Sequence, residues 1–176
     1  MTNFFYYDWS DIIQFIPDTN NSTRTAQNSG EQTGYGMEFE AIWQATDNFT
    51  LTGNVAVQNS TDETLDVPAA KSPEKQLYLR ADWILPKDWR VNLRANWVMD
   101  RNRLSEDMRS DIDDYVLFDL SLRKVMSNSF EFALTVNNLF DQDAREPSPN
   151  SNPMPFIPND LPLSGRALLG EIRYSF

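Results

Sequence analysis

The side chains best suited to chemistry crowd into one stretch, MDRNRLSEDMRSDIDD at residues 99–114. There Arg101, Arg103 and Arg109 stand among Glu106, Asp107, Asp111, Asp113 and Asp114. Grouped carboxylates can offer oxygen ligands to Ca²⁺, but this spacing matches no calcium loop, and a solvated surface loop is the simpler reading. A guanidinium presents a planar fork that recognises carboxylate and phosphate, so Arg101 and Arg103 are the expected contacts for an anionic ligand. Phe156, with Ile157, lies in a Pro-rich segment at 147–162 and is a further candidate contact, although loop packing would use the same ring. A second set of charges is dispersed: Glu38, Glu40, Arg80, Asp82, Arg90, Arg94, Glu131, Glu171 and Arg173 alternate with apolar residues. Most of these should form ion pairs between neighbouring strands.

Other chemistries are disfavoured by composition. The chain has no His and no Cys, which removes the commonest general base and metal ligand, any thiolate nucleophile and any disulfide. No catalytic residue, metal site or cofactor is expected, and no enzyme activity. The net charge of −11, with 15 basic residues, argues against a nucleic-acid partner.

The elements that must carry these side chains show a period of two almost everywhere. Candidate strands cover 2–13, 33–46, 49–60, 75–85, 89–101, 114–125, 129–139 and 165–176. In the second, Tyr35, Met37, Phe39, Ala41 and Trp43 oppose Gly36, Glu38 and Glu40; in the fifth, Val91, Leu93, Ala95, Trp97 and Met99 oppose Arg90, Asn92, Arg94 and Asn96. Alternation places each set on its own face, and it gathers the dispersed charges on the polar one. No run of 18 apolar residues offers a transmembrane helix, but barrel strands cross membranes with alternating apolarity alone.

The connections support a barrel. Short turns near 46–48, 86–88 and 126–128 alternate with long polar loops at 14–32, 61–74, 102–113 and 140–164. That rhythm belongs to transmembrane barrels with periplasmic turns and extracellular loops. Trp43, Phe49 and Trp89 fall beside short turns, where an aromatic girdle would sit. The chain stops on a strand whose alternate residues are Leu168, Gly170, Ile172, Tyr174 and Phe176. A soluble domain seldom ends so, whereas the last strand of a barrel must pair to abolish the edge. The expected fold is therefore all-β, an antiparallel transmembrane β-barrel. The opening MTNFFYYDWSDII has no basic residue before its apolar stretch and is not a secretory signal.

Two segments carry a family resemblance: TVNNLFDQDARE at 135–146 and PLSGRALLGEIRYSF at 162–176. Asn138, Leu139, Phe140 and Asp141, then Gly165, Arg166, Gly170, Arg173, Tyr174 and Phe176, are similar to the last two strands of TonB-dependent outer-membrane receptors. GYGMEFEAIWQ at 34–44 and DYVLFDLSLRK at 114–124 resemble the family as well. The resemblance implies a barrel of about 22 strands around an N-terminal plug, which takes up scarce nutrients such as ferric siderophores in the outer membrane. On that view residues 1–176 are the C-terminal part of such a barrel, about eight strands, with the plug and the N-terminal strands absent. TonB would act only through those missing parts. The nine dispersed charges would face the lumen. Gly170, Ile172, Tyr174 and Phe176 resemble the signal read by the barrel-assembly machinery, and the apolar face would meet outer-membrane lipid. Two other readings stand beside this one: a complete eight-stranded outer-membrane barrel with a structural or adhesion role, and a soluble acidic β-sheet binding module.

Overall fold

A computed structural model describes residues 1–19, 23–69, 72–103, 107–127, 129–148, 157 and 159–176. In chain order the strands are β1 (Thr2–Pro17), β2 (Arg24–Thr46), β3 (Phe49–Asp62), β4 (Val67–Pro68), β5 (Pro73–Leu85), β6 (Trp89–Arg101), β7 (Tyr115–Ser127), β8 (Phe130–Asn137), β9 (Arg145–Glu146), β10 (Leu161–Pro162) and β11 (Ala167–Tyr174). No helix occurs among the described residues. Strands β1, β2, β3, β5, β6, β7, β8 and β11 lie side by side in that order, all antiparallel, with β4 folded back on the end of β3. β9 and β10 make a separate two-stranded ribbon. β1 and β11 do not pair with each other among the described residues, so the sheet is an open strip of barrel wall.

Register turns the alternation of single strands into two continuous faces. Trp43, Leu51, Ala81, Leu93, Leu120, Val136 and Leu168 lie opposite one another across β2, β3, β5, β6, β7, β8 and β11. Phe49, Trp83, Val91, Leu122, Leu134 and Gly170 form the next row. Slipping any one strand by one residue would send its apolar set to the other face. This apolar face is open to its surroundings: Trp97 is 44% exposed and Ile172 69%, and no large side chain is fully buried among the described residues. Such a surface suits lipid better than water. From Lys75 to Leu85, β5 spans about 33 Å at roughly 3.3 Å per residue. A strand tilt near 40° reduces this to about 25 Å, the height of a barrel's apolar band.

Cationic residues mark both rims of that band. At the loop end, Lys75 Nζ lies 2.7 Å from Asp100 Oδ2. At the turn end, Lys124 donates to the Lys87 carbonyl and sits 5.6 Å from the centre of the Trp89 ring. Lys87 and Asp88, both left-handed with φ of 63° and 60°, form the tight turn between β5 and β6. Paired positive φ values match the right-handed twist of the flanking strands.

Two strands run well past the apolar band at the loop end. Expected at 2–13 and 33–46, β1 and β2 instead extend to Pro17 and back from Arg24. The added residues of β2, Arg24–Gln32, are mostly exposed polar side chains, so no apolar alternation betrays them. Main-chain hydrogen bonding alone carries this part of the hairpin, which bulges around Asp11, φ 58°. Farther down, Gly34 and Gly36 clear space for the rings of Tyr7 and Phe5. A Cβ on Gly36 would come within 2.6 Å of the Val57 carbonyl, and one on Gly34 within 2.3 Å of the Tyr7 ring. Tyr7 is fixed over its glycine by the Ser60 hydroxyl at 2.9 Å and the Gln32 amide at 2.8 Å.

Candidate functional site

The nine dispersed charges share the polar face. In one row Arg80 stands opposite Arg94, and Arg94 opposite Asp119; in another, Arg90 faces Arg123. Like charges directly across a sheet repel, and carboxylates beside them offset this. Arg80 binds Asp82 at 2.8 Å, Arg94 reaches Asp119 at 3.5 Å, and Arg123 meets Glu131 at 2.7 Å. Arg173 lies 3.9 Å from Glu131 and 3.1 Å from Glu171. Glu38 accepts from the Asn3 amide at 3.4 Å. Arg90 has no ion-pair partner among the described residues. With Arg123, Asn92 and Ser121 it lines a cavity of about 420 Å³ near the turn end.

At the opposite end, the loops after β6 and β8 close over the polar face. Ala144, 2% exposed, packs on Val98 and Tyr115, with Leu117 and Leu163 alongside. Left-handed Asp100, φ 52°, breaks the alternation of β6 and lets Arg101 lie over the Tyr115 ring, 4.6 Å from its centre. The Arg101 guanidinium is buried. It donates to the carbonyls of Arg145 and Asp113 and lies 3.4 Å from Glu146, which also accepts from the Tyr115 hydroxyl at 2.7 Å. Arg103 spends its fork on Asp160, with Nη1–Oδ1 and Nη2–Oδ2 both 2.7 Å, and its Nε on the Ser110 carbonyl at 2.7 Å. Arg109 completes the cluster through Asp107, the Ser148 hydroxyl at 2.8 Å and Asp160 at 3.2 Å.

The electrostatics follow from these contacts. Asp160 is nearly buried, yet its carboxyl is held below the usual carboxylate range. The Arg103 hydrogen bonds contribute most to this, and the Ser148 backbone N–H and the two guanidinium charges add to it against burial. Hydrogen bonding to Arg109 likewise keeps Asp107 low. Arg103, Arg109, Arg145, Asp143, Asn159 and Asp160 line a polar cavity of about 600 Å³ between the loops. Its three guanidinium groups are balanced by carboxylates within the protein, so an anion reaching Arg103 would have to displace Asp160.

Among the expected ligand contacts, Arg101 and Arg103 come together in this cluster. Phe156 lies outside the described residues. Gly170, Ile172 and Tyr174 occupy β11 opposite Leu134, Phe132 and Phe130, with Phe176 just beyond and fully exposed. The sequence reading missed Asp160 and Ser148, and it gave Asn138 only as part of the terminal family motif. Asp160 is the only carboxylate within 147–162, a weak sign that it answers an arginine elsewhere.

These features can be set beside known proteins. Residues 2–139 match the family model of the TonB dependent receptor-like β-barrel. No curated protein matches in sequence. Among solved structures, the ferric yersiniabactin uptake receptor FyuA from Yersinia pestis superposes with a TM-score of 0.82 at 18% identity, covering 99% of this chain and 27% of that one. The copper transporter OprC gives 0.78 at 18% identity, covering 99% and 28%. The ferripyoverdine receptor of Pseudomonas aeruginosa gives 0.77 at 17%, covering 99% and 24%. The chain thus spans about a quarter of the length of these structures. With an exposed apolar face, a largely ion-paired polar face and a family model over residues 2–139, the chain belongs to the TonB-dependent receptor β-barrel family of the bacterial outer membrane.

Proposed function

We propose that residues 1–176 are the C-terminal part of the barrel wall of a receptor that takes up a ferric siderophore, driven through TonB. The plug and the remaining strands belong to the rest of that protein. One observation carries the reading: eight strands in register set an unbroken apolar face against a face of paired charges, the division of labour of a wall between lipid and an aqueous lumen. The family match and the cargo of the similar ferripyoverdine and ferric yersiniabactin receptors favour iron chelates. In this reading Glu38, Glu40, Arg80, Asp82, Arg90, Arg94, Glu131, Glu171 and Arg173 line the lumen. The loop cluster of Arg101 and Arg103 guards the outer mouth. Gly170, Ile172, Tyr174 and Phe176 serve the barrel-assembly machinery.

The test is uptake of ⁵⁵Fe by cells expressing the full-length receptor or lacking it, with and without TonB, against catecholate, hydroxamate and mixed-ligand siderophores. Receptor- and TonB-dependent uptake of one chelate class is the expected result. Uptake of none, with copper accumulation instead, would replace iron by the cargo named for one similar structure.

A further inference from the structure

The two terminal sequence motifs are joined in space. Asn138-Leu139-Phe140-Asp141 leaves β8 and Gly165-Arg166 enters β11, with the long loop 142–164 between them. Asn138 is 4% exposed and left-handed, φ 48°. Its Oδ1 accepts from the Gln142 N–H at 2.8 Å, and its Nδ2 donates to the carbonyls of Gln142 at 2.9 Å and Ser164 at 3.2 Å. Its own N–H goes to Asp119 at 2.9 Å. Asp141, φ 56°, accepts the Arg166 N–H at 2.8 Å, with the Arg166 guanidinium 3.8 Å away. A Cβ on Gly165 would sit 3.2 Å from the same Asp141 oxygen, so glycine leaves room for the contact. The clasp adjoins the first rung of the ladder, where Asn137 faces Ala167.

Something must set this register. A one-residue slip of β11 would turn its apolar set to the wrong face, but a two-residue slip would leave it on the same face, so the apolar pattern cannot prevent it. A long loop cannot prevent it either, because loop-closure entropy changes only slowly with length. Only two positions separate β7 from β8, which limits their register; the long connection before β11 imposes no such limit. We propose that Asn138 and Asp141, acting on Ser164 and Arg166, are the positioning residues that fix the register of the terminal strand. This rests on the barrel reading above, because it is during insertion that the register must be chosen.

The chain has no cysteine of its own, so disulfide trapping is a direct readout in a full-length receptor freed of any other cysteine. In the full-length receptor, the pair Leu134→Cys/Gly170→Cys reports the native register, since these residues face each other. Leu134→Cys with Leu168→Cys or Ile172→Cys reports slips of two. The parent should crosslink mainly at 134–170. Adding Asn138→Ala and Asp141→Ala should lower that crosslink about tenfold, the weight of the hydrogen bonds removed, and raise a slipped one. An undiminished native crosslink in the double variant would overturn the clasp. If the double variant leaves no folded barrel, Asp141→Asn decides. Asparagine keeps an acceptor for the Arg166 N–H and should retain the native crosslink, and its loss would also overturn the proposal. A parent missing from the outer-membrane fraction would sink the receptor reading, while the same crosslinks in detergent-folded receptor would still decide the register.

Discussion

The wall and the loop cluster of this molecule are held together by opposite arrangements. In the wall, main-chain ladders carry the structure and large apolar side chains point outward, as with Trp83 at 48% and Phe132 at 36% exposure. In the loop cluster polar groups are buried beside a small apolar centre: Arg101, Asn138, Ser148 and Asp160 lie inside with Ala144 and Tyr115. Each region answers to its own solvent. Lipid accepts apolar groups but offers no hydrogen bonds, so the wall must satisfy its backbone internally. Water covers the loops, and a small set of charge-assisted contacts gives them shape.

This contrast can be broken first at the wall. Leu93→Arg puts a cation in the middle of the apolar face and should destabilise the inserted barrel by about 2–4 kcal/mol. Asn92→Arg, one residue away on the polar face, should be far milder. Urea unfolding of the full-length receptor in phospholipid vesicles measures both, and equal effects would dissolve the distinction between faces. In the loops, Asp160→Ala leaves the 8%-exposed Arg103 side chain without its fork partner, a loss of about 3–5 kcal/mol for a buried pair. That loss should be local. Protease added to intact cells should cut near 102–114 while the barrel stays heat-modifiable.

Acid sharpens the same comparison. A carboxyl whose folded pKa is depressed contributes stability above its unfolded pKa, near 3.9, and loses it as pH falls through the folded value. Asp160 is such a group. The loop cluster should therefore resist proteolysis unchanged from pH 7 to 5 and loosen only below about pH 4, and Asp160→Asn should remove that acid step. Pepsin digestion of the receptor in detergent between pH 5 and 2 reads it. The smallest effect belongs to Lys75→Ala at the rim. Its ion pair with Asp100 is about half exposed on both sides, so stability should hardly change.

What could be read from the sequence divides along the same line. The wall was legible because the pleat repeats every two residues and lipid demands one apolar face. β6 appears at its expected residues, 89–101, and the rows through Leu93 and Leu120 follow from alternation. The extension of β2 back to Arg24 was hidden because both of its faces are wet. The loop cluster was hidden for another reason. Arg103 finds Asp160 across 57 positions of chain, and nothing periodic connects them. Arg101 and Arg103 were visible as charges, but their engagement with partners inside the protein was not.

The wall is one layer thick, and this bears on how such a protein can change over time. In a two-layer domain each core side chain fits against a facing one, so exchanging Leu for Phe disturbs a partner. Here the outward row from Trp43 to Leu168 meets a fluid that adapts to any apolar shape. Selection can therefore hold the period while releasing the identity at each position, and a backbone of this kind can outlast nearly all memory of its ancestral letters. The positions that resist such drift should be those with a fixed neighbour: Gly36 beneath Phe5, and Asn138 beside Ser164.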